Sequence, residues 1–181
     1  MSKVVVRPAT PSDAGGIARV YIETWRTTYA GLVPHDYLLG LKPARQTMIW
    51  RRGLASMAAR ETTLVAEAPD RMIVGFGSCG PGRRGLPDGG AEVYTLYVDP
   101  DWQGRGIGRQ LLTEQFRWLA GQGYQAAALW VLSANPTRYF YEAMGGRQMA
   151  ERREAFAGTL LDETAYGWSD LPAWLETADP K

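Results

Sequence analysis

Apolar positions near the N terminus follow first the spacing of a strand and then that of a helix. Residues 4–6 are a short β-branched run, which predicts an opening strand. Ser12 is a candidate N-cap with Asp13 in the first turn, so we expect a helix to follow and to end near Gly31. The apolar and aromatic face of this helix consists of Ile17, Val20, Tyr21, Thr24, Trp25, Thr28 and Tyr29.

The spacing then changes from helical to extended. Pro34 opens a second, shorter predicted helix, and residues 45–57 form a third. Residues 62–68 and 72–79 read as the two strands of a β-hairpin, and residues 91–98 form a further strand.

The C-terminal half repeats the strand and helix periods. A helix is predicted from Ile107 to the glycines at 121 and 123, and a buried strand at 128–132. A short helix within residues 135–146 and an antiparallel pair of strands within 147–168 complete the predicted elements.

These elements form one mixed α/β domain with no internal repeat. Its length of 181 residues, with 45% hydrophobic residues, is typical of a single globular domain. We place the domain at residues 1–170 and a C-terminal tail at 171–181, which packs through Trp174 before it frays.

The balance of charges argues against two classes of partner. A formal net charge of +1 gives no overall field toward nucleic acid or an anionic membrane. A nucleic-acid binder would rely on Arg51, Arg52, Arg83 and Arg84, but no basic stripe with interleaved aromatic residues accompanies them. We therefore expect neither nucleic acid nor membrane as a partner.

The cysteine content and the N terminus favour a reducing compartment. Cys79 is the one cysteine, so it forms no internal disulfide, and its place in a buried strand favours packing over reactivity. The first residues lack the apolar core of a signal peptide, and the longest apolar run, 126–132, is far shorter than the roughly 20 residues that span a bilayer. A cytoplasmic location is the prediction.

The stretch VDPDWQGRGIGRQLL joins the strand at 91–98 to the helix that follows. A strand that passes through a glycine turn into a helix presents free backbone N–H groups and the positive end of the helix dipole, an arrangement that binds phosphate. A side chain at Gly104, Gly106 or Gly108 would keep a phosphate away from those amides. The stretch is neither a P-loop nor a dinucleotide fingerprint, which has glycine where Arg109 stands, so a turn without a ligand is the alternative.

A second motif makes the glycine turn specific. Gln103-x-x-Gly106-x-Gly108 after the strand, followed by NPTRYFYEAMGG at 135–146, resembles the GNAT superfamily of N-acetyltransferases over residues 3–168. The resemblance implies an α/β (α+β) fold in which helices flank a mixed, mostly antiparallel sheet of six to seven strands, splayed between strands 4 and 5. It also implies acetyl-CoA as the acetyl donor, with no metal.

The same resemblance assigns the coenzyme contacts. The family pattern places the pyrophosphate on the backbone amides of Gln103, Gly104, Arg105, Gly106, Ile107 and Gly108, with Arg109 near the phosphates. Free backbone groups of Leu96, Tyr97 and Val98 would pair with the pantetheine arm, beyond a bulge in the strand. The Val98 amide would stabilise the oxyanion, and Asn135 would meet the pantetheine from the next helix.

Two side chains suit the proton transfers that amine attack on a thioester requires. Tyr141 matches the tyrosine that this family commonly uses as general acid; the alternative is an aromatic ring that only packs against the coenzyme. Glu92 matches the glutamate that is the base, directly or through water, in some branches of the family. The alternative for Glu92 is a surface residue or an ion-pair partner.

The acceptor site is expected between the first helices and the sheet. Trp25, Tyr29, Tyr94 and Trp130 are the candidate acceptor contacts, although an aromatic stripe at helical spacing also suits a core. A small-molecule primary amine is the preferred acceptor. A protein N terminus or lysine is the alternative within enzymes, a non-catalytic acyl-CoA sensor is the alternative of another class, and the fold also accommodates a homodimer.

Overall fold

The computed structural model describes residues 4–83 and 90–178, so Arg84 lies outside the described residues. Among these described residues, seven strands and five helices follow the predicted order, a sixth helix forms after residue 170, and a short 3-10 turn precedes both α1 and α4. The elements are β1 Val5–Pro8, α1 Ala14–Thr28, α2 His35–Gly40, α3 Pro43–Ala55, β2 Thr62–Glu67, β3 Ile73–Pro81, β4 Ala91–Val98, α4 Ile107–Gly121, β5 Ala127–Leu132, α5 Arg138–Ala143, β6 Arg147–Phe156, β7 Thr159–Trp168 and α6 Leu171–Ala178.

All seven strands join one sheet in the order β1-β2-β3-β4-β5-β7-β6. Every neighbouring pair is antiparallel except β4 and β5, which run parallel. This parallel pair is in register at only two positions, Ala91 with Ala127 and Glu92 with Ala128. Beyond Glu92 the two strands separate, so the predicted sheet and its splay between strands 4 and 5 are confirmed.

Helices cover both faces of the sheet, which explains why β2 lacks an alternating pattern. Leu64 and Ala66 belong to a buried cluster with Leu111 of α4, whereas Val65 belongs to a cluster with Ile17 of α1. A strand buried on both faces reads as a continuous apolar run, as residues 64–66 do. The helices α1 and α4 therefore sit on opposite faces of β2, β3 and β4.

The start of α1 is stabilised by the Asp13 carboxylate and its ion pair with Arg7, not by the predicted Ser12 N-cap. A 3-10 turn at Pro11–Asp13 precedes the helix, and the Asp13 carboxylate accepts the Thr10 amide at 2.7 Å. Both Asp13 oxygens also accept from the Arg7 guanidinium at 2.8 Å. Because Arg7 favours the charged form, the pKa of Asp13 falls to about 2.

The residues after 170 form part of the core. Leu171 is fully buried, and the Trp174 indole donates to the Met144 carbonyl oxygen at 2.7 Å while its ring lies 4.9 Å from that of Phe116 in α4. Helix α6 thus lies within the segment predicted as a tail and packs against the rest of the fold. Within residues 4–83 and 90–178, no helix combines the length and apolarity needed to cross a membrane.

Candidate active site

A cavity of about 600 Å³ fills the gap between β4 and β5. It is bounded by residues 93–98 of β4, by the loop into α4, by residues 129–131 of β5 and by α5. The structure brings together at this cavity most of the residues predicted for the site: Tyr29, Tyr94, Leu96, Tyr97, Val98, Gln103, Gly104, Gly106, Ile107, Gly108, Arg109, Trp130, Asn135 and Tyr141.

A β-bulge interrupts β4 beside the cavity. Val93 is opposite Cys79 of β3, but Thr95 is opposite Ser78, so Tyr94 is an extra residue without a partner. An extra residue shifts the alternation of backbone hydrogen bonds by one position in all that follows. The bulge therefore decides which amides of the last part of β4 face the cavity.

The alternation after the bulge follows from one hydrogen bond at the strand end. The Asp99 amide donates to the Val74 carbonyl oxygen of β3 at 2.9 Å. In an antiparallel ladder alternate residues bond to the same neighbour, so the Tyr97 backbone also bonds to β3. The Leu96 and Val98 amides then point to the open side, toward the cavity. Of the predicted set of free groups, the amides of Leu96 and Val98 thus face the cavity, whereas the Tyr97 backbone bonds to β3.

The glycine loop has the backbone conformation that glycine alone adopts readily. Gly104 and Gly106 have φ angles of 72° and 79°, in the left-handed region. Within the described part of the chain, none of the amides at 104–109 donates to a protein acceptor. These amides lie at the N terminus of the 15-residue helix α4, so they form a concave group of donors at the positive end of a dipole.

The two arginines of the loop differ in position. Arg109 is exposed and lines the cavity, whereas Arg105 donates to the Asp101 carbonyl oxygen at 3.0 Å and stacks over Trp102 at 4.8 Å. The Arg105 side chain is thus engaged within the loop and is not among the residues that line the cavity. Arg109 is the arginine placed to meet an anion there.

The side chain of Gln103 closes the loop back onto β4. Its amide nitrogen donates to the Val98 carbonyl oxygen at 3.1 Å, which also accepts from the Thr24 hydroxyl at 3.4 Å. Thr24 and Thr28 of α1 line the cavity, as does Phe140 of α5, and none of the three was predicted as a site residue. The two threonines share the predicted face of α1 with Tyr29, and this helical spacing could have indicated them.

Tyr141 lies in the cavity wall with its phenol available. The residue is 6% exposed, and its hydroxyl has no hydrogen-bond partner among the described residues. Burial raises the pKa of the Tyr141 phenol well above its usual value. The group therefore keeps its proton at neutral pH and can donate it.

Glu92 is held away from the cavity lining. It is only 2% exposed, and its carboxylate accepts from the Arg83 backbone amide and Nε at 3.0 Å each and from Nη2 at 2.6 Å. Both oxygens are thus engaged by one arginine that also stacks over Tyr94 at 4.6 Å. This geometry does not support the predicted role of Glu92 as the base; it matches the alternative, an ion-pair partner.

The predicted acceptor aromatics separate into two groups. Trp25 does not line the cavity, because its ring packs against Tyr29 at 4.5 Å, Tyr37 at 5.3 Å and Phe156 at 5.6 Å. Tyr29 lies at the inner edge of this cluster and does face the cavity. On this face of α1, Trp25 therefore packs within the aromatic cluster, whereas Tyr29, one turn later, forms part of the cavity wall.

Tyr94 and Trp130 both line the cavity and are both covered by an arginine. The Tyr94 hydroxyl donates to the Pro81 carbonyl oxygen at 2.7 Å, which fixes its ring beneath Arg83. Arg152 lies 4.1 Å from the centre of the Trp130 ring. These stacked pairs hold both rings in place at the wall.

Asn135 shapes the chain rather than projecting freely into the cavity. It is 2% exposed, and its Oδ1 accepts a hydrogen bond from the Thr137 amide at 2.9 Å, the local bond that turns the chain into α5.

Cys79 is fully buried, and burial raises the pKa of its thiol to about 12. The thiol is thus a packed, protonated group, as the sequence predicted.

Comparison with known proteins agrees with this geometry. The sequence profile of the Acetyltransferase (GNAT) family matches residues 19–145. The chain is 34% identical over 171 residues to the protein named Uncharacterized N-acetyltransferase YuaI in Bacillus subtilis (strain 168), a match covering 94% of this chain and 95% of that protein.

Two solved structures share the fold. The PaiA N-acetyltransferase of Thermoplasma acidophilum, in complex with coenzyme A, has a TM-score of 0.64 at 20% identity over 90% of this chain and 98% of its own. The yncA structure from Salmonella typhimurium, with acetyl-CoA, has a TM-score of 0.69 at 22% identity over 93% of this chain and 94% of its own. On the family profile and the near full-length relative, the chain belongs to the GNAT family of acetyltransferases.

Proposed function

We propose that the protein transfers the acetyl group of acetyl-CoA to the primary amine of a small molecule, by direct attack in a ternary complex. The observation that carries this proposal is the pair of outward amides, those of Leu96 and Val98, on a strand that ends in a loop of unpartnered amides. A ligand with an amide-containing arm and a diphosphate matches both groups of donors.

In the proposed complex the amides at 104–109 bind the diphosphate, with Arg109 adding a positive charge. The pantetheine arm lies along the open side of β4, which β5 leaves unpaired beyond Glu92. PaiA and yncA were solved with coenzyme A and acetyl-CoA, and this supports the same ligand here.

The chain's own groups supply two parts of the chemistry. The Val98 amide points into the gap and stabilises the oxyanion that forms when an amine attacks the thioester. Tyr141 provides the proton for the departing thiolate, since its phenol is protonated and has no other partner among the described residues. We assign Glu92 no proton transfer, because Arg83 holds both of its oxygens.

The surroundings of the acceptor end favour a small molecule. Phe156, at the tip of the β6–β7 hairpin, packs against Trp25 of α1 at 5.6 Å and Tyr37 of α2 at 4.7 Å. Leu161 of the same hairpin joins this cluster. The contacts bring the hairpin onto α1 and α2, whereas a peptide acceptor needs an open groove with extended backbone partners.

A thiol-release assay tests the proposal. The purified protein is incubated with acetyl-CoA and, separately, with small primary amines and with peptides that carry a free N terminus or a lysine. We expect free thiol to appear with at least one small amine. Release with peptides alone would make the protein a peptide acetyltransferase, and binding of acetyl-CoA without release on any acceptor would favour a sensor.

A further inference from the structure

The bulge in β4 is held by a glutamine from the helix beneath it. Gln115 Nε2 donates to the Ser78 carbonyl oxygen at 3.0 Å and to the Thr95 carbonyl oxygen at 3.2 Å. The Ser78 amide donates to the Thr95 hydroxyl at 3.0 Å, and the Ser78 and Thr95 hydroxyls share a hydrogen bond at 2.7 Å. Side-chain hydrogen bonds thus join β3, β4 and α4 at the point where the register shifts.

Gln115 is fully buried, and stability alone does not account for it. Its neighbours on the buried face of α4 are apolar: Leu111, Leu112, Phe116 and Leu119. Burial of an amide is costly unless its polar atoms are paired, and the Gln115 Oε1 atom has no partner among the described residues. A polar side chain that leaves its own oxygen unpaired in a core is typical of a functional constraint.

Gly77 of β3 leaves the space that the Gln115 side chain occupies. A Cβ atom at Gly77 would lie 2.7 Å from Gln115 Nε2, so a larger residue there would displace the Gln115 side chain. Gly77 and Gln115 therefore fit each other, and the amide reaches the bulge through the space that the glycine leaves.

The register that this contact maintains determines which amides face the cavity. Before the bulge, the Gly82 amide donates to the Gly90 carbonyl oxygen at 2.9 Å, so even-numbered residues of β4 bond to β3 there. If β4 continued in regular register with Tyr94 paired to β3, the Leu96 and Val98 amides would also bond to β3. The one-residue shift turns both of them toward the cavity.

We propose that Gln115 is a positioning residue of the acetyl transfer. It fixes the bulge of β4 and ties it to α4, the helix whose first turn carries the diphosphate donors. Gln115 does not itself line the cavity; it acts through Thr95, which does. The inference rests on the proposed function, because the Val98 amide is taken as the oxyanion donor.

Replacement of Gln115 by methionine tests this role. Gln115→Met keeps the length of the side chain and removes both hydrogen bonds, so we expect kcat to fall by about tenfold or more as the oxyanion donor loses its position. The dissociation constant for coenzyme A, measured by calorimetry, should rise by less than kcat falls, because the diphosphate donors at 104–109 belong to the loop and only the contacts of the pantetheine arm with β4 weaken.

Thr113→Val is the matched control on the same helix. Thr113 is 9% exposed, and its hydroxyl donates to the Arg109 carbonyl oxygen of its own helix at 2.9 Å, away from the bulge. We expect Thr113→Val to lower the melting temperature without lowering kcat. An equal loss of kcat in the control, or a folded Gln115→Met protein with wild-type kcat, overturns the inference.

Two further measurements keep the inference separate from folding and from the proposed function. Thr95→Val removes the acceptor of the Ser78 amide and should reproduce the loss of kcat, so it serves as the test if Gln115→Met does not fold. Amide hydrogen exchange needs no turnover: Gln115→Met should lose the slow exchange of the Tyr97 amide. Unchanged exchange along β4 overturns the inference even if the wild-type protein shows no transferase activity.

Discussion

At the scale of single residues, the Tyr141 phenol is the group most directly placed for proton transfer. It lies in the cavity wall, and because burial raises its pKa, the phenol holds its proton at neutral pH. Tyr141→Phe should lower kcat by roughly a hundredfold while the affinity for coenzyme A changes little, because the ring is kept and only the proton donor is lost. Steady-state kinetics and calorimetry measure the two quantities, and a variant with wild-type kcat removes this role.

For Glu92, in contrast to Tyr141, we expect substitution to have little effect on catalysis. Because its carboxylate is bound by Arg83, Glu92→Gln should leave the acid limb of the pH profile of kcat/KM in place and keep kcat/KM within about tenfold of the wild type. The measurement is kcat/KM across the neutral and mildly acidic range. Loss of the acid limb in Glu92→Gln would restore the role of base that the family resemblance suggests.

At the scale of elements, the loop between β4 and α4 depends on a left-handed residue at Gly106. Gly106→Ala costs about 1 kcal/mol of backbone strain, and relief of that strain moves the donor amides. We expect coenzyme A to bind at least about tenfold more weakly, as measured by calorimetry, since several amides share the diphosphate.

Gly123→Ala is the control for strain alone. Gly123 has a φ angle of 89° beyond the other end of α4, and a Cβ atom there meets no neighbour, as at Gly106. The two variants should lose similar stability, and Gly123→Ala should bind coenzyme A normally. Equal affinity for coenzyme A in both variants would place the phosphate site elsewhere.

The elements themselves were largely predictable because prolines and glycines mark their ends. Pro43 begins α3, and Gly106 precedes α4. The bulge was not predictable at its residue, because AEVYTLYV reads as regular alternation whether or not Tyr94 is paired. The contacts of Gln115 could not be predicted either, because a lone polar residue in a helix is usually solvated and the partners of Gln115 lie in other elements.

At the scale of the whole molecule, the sequence predicted which segments meet but not which side chains pair. The order of elements and two spaced motifs placed β4, the glycine loop and α5 around one cavity. The ion pair of Glu92 with Arg83 joins residues from two different strand ends, and the packing of Trp25 depends on Phe156 from a distant hairpin. Neither contact leaves a mark in local sequence, so neither could be predicted from it.

The ion pair between Arg7 of β1 and Asp13, just before α1, makes the free energy of unfolding depend on pH. Arg7 lowers the pKa of Asp13 from 3.8 to about 2, so the ion pair stabilises the fold fully above pH 3.8 and the stabilisation is lost as the pH falls through about 2. Asp13→Asn should lower the free energy of unfolding by about 2 kcal/mol at neutral pH. Urea titrations should show this difference shrinking between pH 4 and pH 2, and a difference independent of pH contradicts the assignment.

We propose that acetyl-CoA lies along β4 with its diphosphate on the glycine loop. Residue-resolved amide exchange by NMR, with and without acetyl-CoA, reports on each of these contacts. We expect the Leu96 and Val98 amides and those at 104–109 to become protected, while the Tyr97 amide, already bonded to β3, changes little. If saturation with acetyl-CoA leaves these amides unprotected, the proposed binding mode is wrong.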